Sequence, residues 1–244
     1  MTKMQNRIGV LPPDTSGENS EARLSKTEVI QARLEARYGV PEWEPRFGAV
    51  DELVACILSQ HTSDVNSLRA FGLLKSAYPD WDSVIAESTE KIADTIRSGG
   101  LANSKAARIQ QVLGRIRDAE GSISLDCLDR MSDADARAYL MDLPGVGPKT
   151  AAIVLSFALG RPVIPVDTHI FRVSWRLGLI VKKIGEARAH DALQAQVLPE
   201  NVYRFHVALI VHGRQVCKAP TPRCAECPLT DLCRYFQERI GSSA

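Results

Sequence analysis

Between residues 48 and 60 (GAVDELVACILSQ) the apolar residues Val50, Leu53, Val54, Ile57 and Leu58 recur at the spacing of one helix face, which predicts an amphipathic helix. The same spacing predicts further helices at about 64–77, 103–118, 133–141, 186–197 and 200–213. Residues 150–159 (TAAIVLSFAL) are apolar on every side, the pattern of a buried central helix, with Gly160 placed to close it. Strand signals are scarce: residues 161–166 read as extended, but Pro162 and Pro165 break the run. Residues 1–26 are polar, rich in Ser, Pro and Glu, and without periodicity, so they are expected to form a mobile tail. The chain holds no internal repeat and no low-complexity block. The expected fold class is all-α.

Composition narrows this picture only a little. A chain of 244 residues suits one large domain or two small interlocked ones, and it is long enough to bury a core without staples. Its 45% apolar and 24% charged residues are those of an ordinary globular protein. The longest apolar stretch, 151–159, is too short to cross a bilayer, and the first residues lack the apolar core of a signal peptide. The expectation is a protein of a soluble interior compartment, the cytoplasm, with no membrane partner. A net charge of +1 excludes a histone-like protein. That total hides an asymmetry: residues 1–142 carry 17 basic and 22 acidic side chains, residues 143–244 carry 13 and 7. A polyanion would find much of its electrostatic attraction in the carboxy-terminal part.

Four of the six cysteines, Cys217, Cys224, Cys227 and Cys233, fall within seventeen residues as C-x6-C-x2-C-x5-C. In a reducing compartment such clustering favours metal over disulfides, and four thiolates on a short loop can hold either zinc or an iron–sulfur cluster. Spacing alone leaves these two open. A structural staple without redox work is the simpler role for either. Cys56 and Cys127 stand alone and read as small core residues. Between the first two clustered cysteines, two prolines stiffen a loop that carries Lys218 and Arg223, a shape suited to phosphate contact, although a solvated loop explains it equally well.

Residues 143–150 read Leu-Pro-Gly-Val-Gly-Pro-Lys-Thr. Gly145 and Gly147 permit a tight turn between two helices, and Pro148 suits the first position of the second. Such a turn offers backbone N–H groups at a helix start, where a nucleic-acid phosphate can dock regardless of base sequence. Lys149 lies in the first turn of the apolar helix. The positive helix end and any desolvation there disfavour an ammonium, which favours a nucleophilic amine. For an arbitrary lysine, reaching to solvent or to phosphate is the commoner role. Eighteen residues on, Asp167 in Val-Asp-Thr-His reads first as a helix N-cap, and a hairpin through 161–166 brings it back toward Lys149.

Assembled, these parts resemble the endonuclease III family of the helix-hairpin-helix DNA glycosylase superfamily. The likeness rests on LPGVGPKTA at 143–151, VDTH at 166–169 and the cysteine pattern of 217–233, with LSQHTSD at 58–64 and GLANSKA at 100–106 in support. It covers about residues 27–240. The resemblance implies two helical lobes with a DNA-binding cleft between them: a six-helix barrel at 42–161, and residues 27–41 joined to 162–240 around a [4Fe–4S] cluster. It favours iron over zinc. It implies that Lys149 and Asp167 are catalytic, that Leu101 wedges into the duplex, and that Gln60, His61, Asn103, Gly145, Val146, Gly147, His169, Lys218 and Arg223 lie at the DNA.

The implied activity is that of a monomeric, nucleoid-associated bifunctional DNA glycosylase/AP lyase. It excises oxidised pyrimidines from double-stranded DNA and cuts 3′ to abasic sites by β-elimination. Two alternatives stand beside it: a mismatch glycosylase of the same superfamily, and a non-catalytic DNA-binding iron–sulfur protein. At His61 the family's best-known members carry Gln, and Ala102 stands where a bulkier aromatic occurs. Both departures bear on opposite-base preference and not on the chemistry. His190, His206 and His212 carry no expected function.

Overall fold

The structure, a computed structural model, describes residues 24–241. Residues 1–23, most of the expected tail, lie outside the described residues. Ser25 already belongs to the fold, because it caps the first helix in a reciprocal capping box with Glu28. Twelve α-helices follow in chain order: α1 (Lys26–Tyr38), α2 (Ala49–Ser59), α3 (Asp64–Ala77), α4 (Trp81–Ala86), α5 (Thr89–Thr95), α6 (Ala102–Glu120), α7 (Asp133–Asp142), α8 (Pro148–Ile153), α9 (Thr168–Leu177), α10 (Gly185–Gln194), α11 (Val202–Gln215) and α12 (Arg234–Gly241). No strand occurs among the described residues, and none of these helices is long and apolar enough to cross a membrane. The all-α expectation is met.

Local chemistry explains half of the helix starts. Besides Ser25, the residues Ser63, Asp80, Ser88, Ser132 and Asp167 each accept a hydrogen bond from a backbone N–H in the first turn of the helix they precede. Helices α2, α6, α8, α10 and α11 start without a side-chain cap; Leu101 precedes α6 and Gly147 precedes α8. The apolar run 150–159 is not one regular helix. After Ile153 the backbone widens into a π-helical turn, Val154–Ala158, and Gly160 closes it at φ +63°. The cause is visible in Trp43, whose indole Nε1 donates to the Ser156 carbonyl at 2.9 Å while its ring lies against Gly160.

Apolar burial is divided between two cores. The first is built from one continuous stretch of chain, with Leu53, Ile57, Leu74, Ile109, Leu113, Leu140 and Leu155 at its centre. The second joins Ile30 and Leu34 of α1 to α9, α10, α11 and the cysteine segment. Helix α1 is tied there by polar contacts as well: Thr27 Oγ1 donates to the Gln196 carbonyl at 2.7 Å, and Glu35 pairs with Arg204 at 2.8 Å. The first described helix and the cysteine segment therefore share one core.

Candidate functional site

The α7–α8 turn gives its two glycines different work. Gly145 has φ +70°, and a Cβ there would meet Arg108 Nη1 at 2.8 Å. Gly147 is extended and needs no left-handed backbone. Its missing side chain instead leaves the start of α8 uncovered, with open space where a Cβ would stand. The expectation that both glycines make the turn thus holds for Gly145 alone. Val146 packs inward, 6% exposed, and its N–H donates to the Leu143 carbonyl at 3.1 Å.

Lys149 stands one residue into α8 and is exposed. The protein alone does not supply the desolvation expected for it. The π-turn and residues 161–166 carry the chain back so that Lys149 and Asp167 line one open cleft of about 1620 Å³, counted with the solvent at its mouth. Asp167 is half-buried and keeps its capping role, its Oδ1 accepting from Ile170 N at 2.8 Å, so capping holds the carboxylate in place at the cleft.

Behind Asp167 lies a histidine that the sequence did not single out. His206 is buried, with Nδ1 3.0 Å from the Pro165 carbonyl. Burial pushes its imidazole down to about 4, against the pull of the Asp167 charge, so the ring is neutral and donates to that carbonyl. Phe157 stands edge-on to both His206 and Tyr203, at centroid distances of 5.3 and 5.5 Å, and forms an aromatic wall of the cleft. His169 also lines the cleft and accepts from Arg172 Nη2 at 3.1 Å. Arg172 reaches on to the Gly213 and Cys217 carbonyls. Helix α9 is thereby stapled to the cysteine segment.

Two loops rise beside the α7–α8 turn. His61 (φ +54°) and Leu101 (φ +50°) are the non-glycine residues with left-handed backbone among the described residues, and both are exposed. Such conformations are strained for side chains with a Cβ and need support from their surroundings. That support comes from Lys105, 4% exposed, which sequence reasoning missed. Its Nζ donates to the Leu58 carbonyl at 2.6 Å, Thr62 Oγ1 at 2.9 Å and the Gly99 carbonyl at 2.8 Å, binding both loops to one point. Burial pulls the Lys105 pKa below its usual value. Gln60 is half-buried, with Nε2 3.5 Å from the Gly145 carbonyl, and Asn103 is exposed in the first turn of α6.

The four clustered cysteines surround an apolar cavity of about 290 Å³ beneath α9 and α12, and none is in a disulfide. Burial pushes the Cys227 thiol up to about 11 and raises that of Cys233. Arg176 Nη1 donates to Cys217 Sγ at 3.3 Å and to the Lys218 carbonyl at 2.8 Å. His212 Nε2 lies 3.5 Å from Cys227 Sγ. Among the described residues, no three His, Cys, Asp or Glu side chains gather closely enough to hold a single ion. Lys218 is half-buried, and Arg223 is exposed 4.0 Å from Glu226. Both belong to this cysteine region and do not line the cleft.

Residues 54–197 match the family model described as HhH-GPD superfamily base excision DNA repair protein. The chain is 39% identical over 188 residues to endonuclease III of Bacillus subtilis (strain 168), covering 77% of this chain and 81% of that one. It is 36% identical over 165 residues to an Arabidopsis thaliana protein provisionally named a DNA glycosylase, covering 68% of this chain but 56% of that longer protein. Among solved structures, a trapped covalent intermediate of endonuclease III with DNA superposes with a TM-score of 0.75 at 31% identity, over 87% of this chain and 96% of that chain. The glycine turn, the lysine–aspartate cleft and these matches lead to one assignment: the chain belongs to the HhH-GPD superfamily of base excision repair DNA glycosylases, in the endonuclease III family.

Proposed function

We propose that the protein is a bifunctional DNA glycosylase/AP lyase acting, as a monomer, on oxidised pyrimidines and abasic sites in double-stranded DNA. The observation that carries this reading is the meeting of Lys149 and Asp167 in one cleft. A nucleotide swung out of the duplex covers Lys149 and supplies the desolvation that favours its neutral amine. The C1′–base bond breaks with its electron pair going to the base, the C1′–Nζ bond forms, and a proton passes from Nζ to the departing base. Asp167, fixed by its cap, assists that proton movement and steadies positive charge developing on the sugar. The C1′–O4′ bond then opens, O4′ taking up a proton as the C1′=Nζ Schiff base forms; this acidifies the C2′ hydrogen, and its loss with expulsion of the 3′ phosphate (β-elimination) cuts the strand on the 3′ side.

In the same reading, residues 42–161 form a barrel lobe around the first core. Residues 27–41 and 162–240 form the other lobe. The DNA approaches along the α7–α8 turn and the loops of Gln60, His61, Leu101 and Asn103, with Lys218 and Arg223 as outlying phosphate contacts. The four cysteines fit a [4Fe–4S] cluster: four free sulfurs line one apolar space instead of converging on a point. When bound, the cluster supplies a covalent staple for the segment 217–233.

Borohydride trapping on duplexes containing thymine glycol or an abasic site tests the reading. Wild type is expected to cross-link on both; Lys149→Gln loses cross-linking while retaining DNA affinity, and Asp167→Asn slows excision more than binding. Absence of cross-linking by wild type on either substrate defeats the lyase assignment. About four iron atoms per chain are expected in the purified protein.

A further inference from the structure

Glu52 is an anomaly in the first core. It lies on α2 among Val50, Leu53 and Val54, its side chain is 0% exposed, and a leucine there would avoid the cost of burying a carboxylate. Its charge is met by Arg46, whose Nε donates to Oε2 at 3.1 Å and whose Nη2 bonds to Oε1, and the buried Cys56 thiol donates to Oε1 at 3.8 Å. The Arg46 side chain is 48% exposed and lines the cleft that holds Lys149 and Asp167. Two of its three nitrogens are committed to Glu52, Phe47 lies 5.0 Å from its Cζ, and Nη1 has no partner among the described residues. The charges of Arg46 and Lys149 both act on the thiol of Cys56, which lines the same cleft.

A guanidinium neutralised by a buried carboxylate is a weak anchor for phosphate, but it remains a well-aimed N–H donor. The same cleft offers the ring of Phe157, with those of Tyr203 and His206 set edge-on to it, beside its polar groups, surroundings that can receive a planar base. Resting on the glycosylase reading above, we propose that Arg46, aimed by Glu52, contacts the extruded base and selects bases that present a carbonyl oxygen to it. As the C1′–base bond breaks, the electron pair left on the base spreads onto that oxygen, where the fixed N–H donor stabilises it until the base takes up its proton. Arg46 then acts on base loss and has nothing to hold at an abasic site. Glu52 is its positioning residue.

The test compares two single-turnover rates for each variant: base excision from a 5-hydroxyuracil duplex, and strand cleavage at a preformed abasic site. Arg46→Ala is expected to lower the ratio of excision to cleavage by about a hundredfold. Arg46→Lys, which keeps the charge without the fork, should recover part of it, and Glu52→Gln should fall in between with no change in circular dichroism. An unchanged ratio in Arg46→Ala, or equal losses on both substrates with a flatter salt dependence, overturns the proposal and marks Arg46 as structural or phosphate-binding. Failure of wild type to cleave the abasic duplex defeats the lyase reading instead, so the two failures are distinct.

Discussion

The two cores are built on different chemistry. Residues 50–155 supply the first core, where most buried side chains are aliphatic and Glu52 and Lys105 are its buried charges. The second closes only when α1 returns to meet α9 and α11, and it buries Arg176, His190, His206 and His212. Apolar burial is non-directional and tolerant, whereas a buried polar group is stable only with its own partner in place. The first core should therefore yield gradually to substitution and the second sharply.

Arg176→Ala is expected to have the largest effect. It removes the donor to Cys217 Sγ and to three carbonyls of the 217–220 segment, and should cost about 3–5 kcal/mol in urea unfolding of the protein as purified. A loss within experimental error would erase the contrast. Leu113→Ala, fully buried in the first core, should cost a similar or smaller amount, about 2–5 kcal/mol, with no change in iron content.

Next comes pH. His206 is neutral down to about 4 in the fold, whereas an unfolded histidine protonates near 6.5, so below that pH the unfolded chain binds the extra proton. Its contribution is complete above about pH 6.5 and is lost by about pH 4, a fall of about 3 kcal/mol. His206→Phe should lack that part of the slope. The smallest effect belongs to the ion pair of Arg137 and Asp191 at 2.6 Å, which links α7 to α10 at the surface. A double-mutant cycle with Arg137→Gln and Asp191→Asn should return less than about 1 kcal/mol.

The same contrast explains what could be read in the chain. The first core announces itself, because Val50, Leu53, Val54, Ile57 and Leu58 recur at helical spacing, and in the second core Asp167 marks the start of α9 through a local bond. The turn at 143–150 was legible for the same reason. Short helices α4 and α5 carry good caps in Asp80 and Ser88 but too few turns to display a period. Lys105 and Arg46 were not legible. The Lys105 acceptor at Leu58 lies 47 residues away, and Glu52 looks in sequence like the polar face of a helix that the fold has turned inward. The histidines failed similarly, since nothing local distinguishes a histidine bonded to a distant carbonyl from one in water. Lys149 is the instructive case: its position in the fold followed from the glycine turn, but its exposure did not, because a helix's first turn can face either the core or solvent.

The grip of Lys105 has a mechanical consequence. One ammonium holding the end of α2 at Leu58, the loop after it at Thr62 and the loop before α6 at Gly99 leaves neither loop a hinge of its own, so the tips at His61 and Leu101 keep a fixed gap, like the jaws of a locked caliper. In the proposed reading a duplex seated on these tips yields to that gauge, and the deformation is taken up by the softer body, the stacked bases.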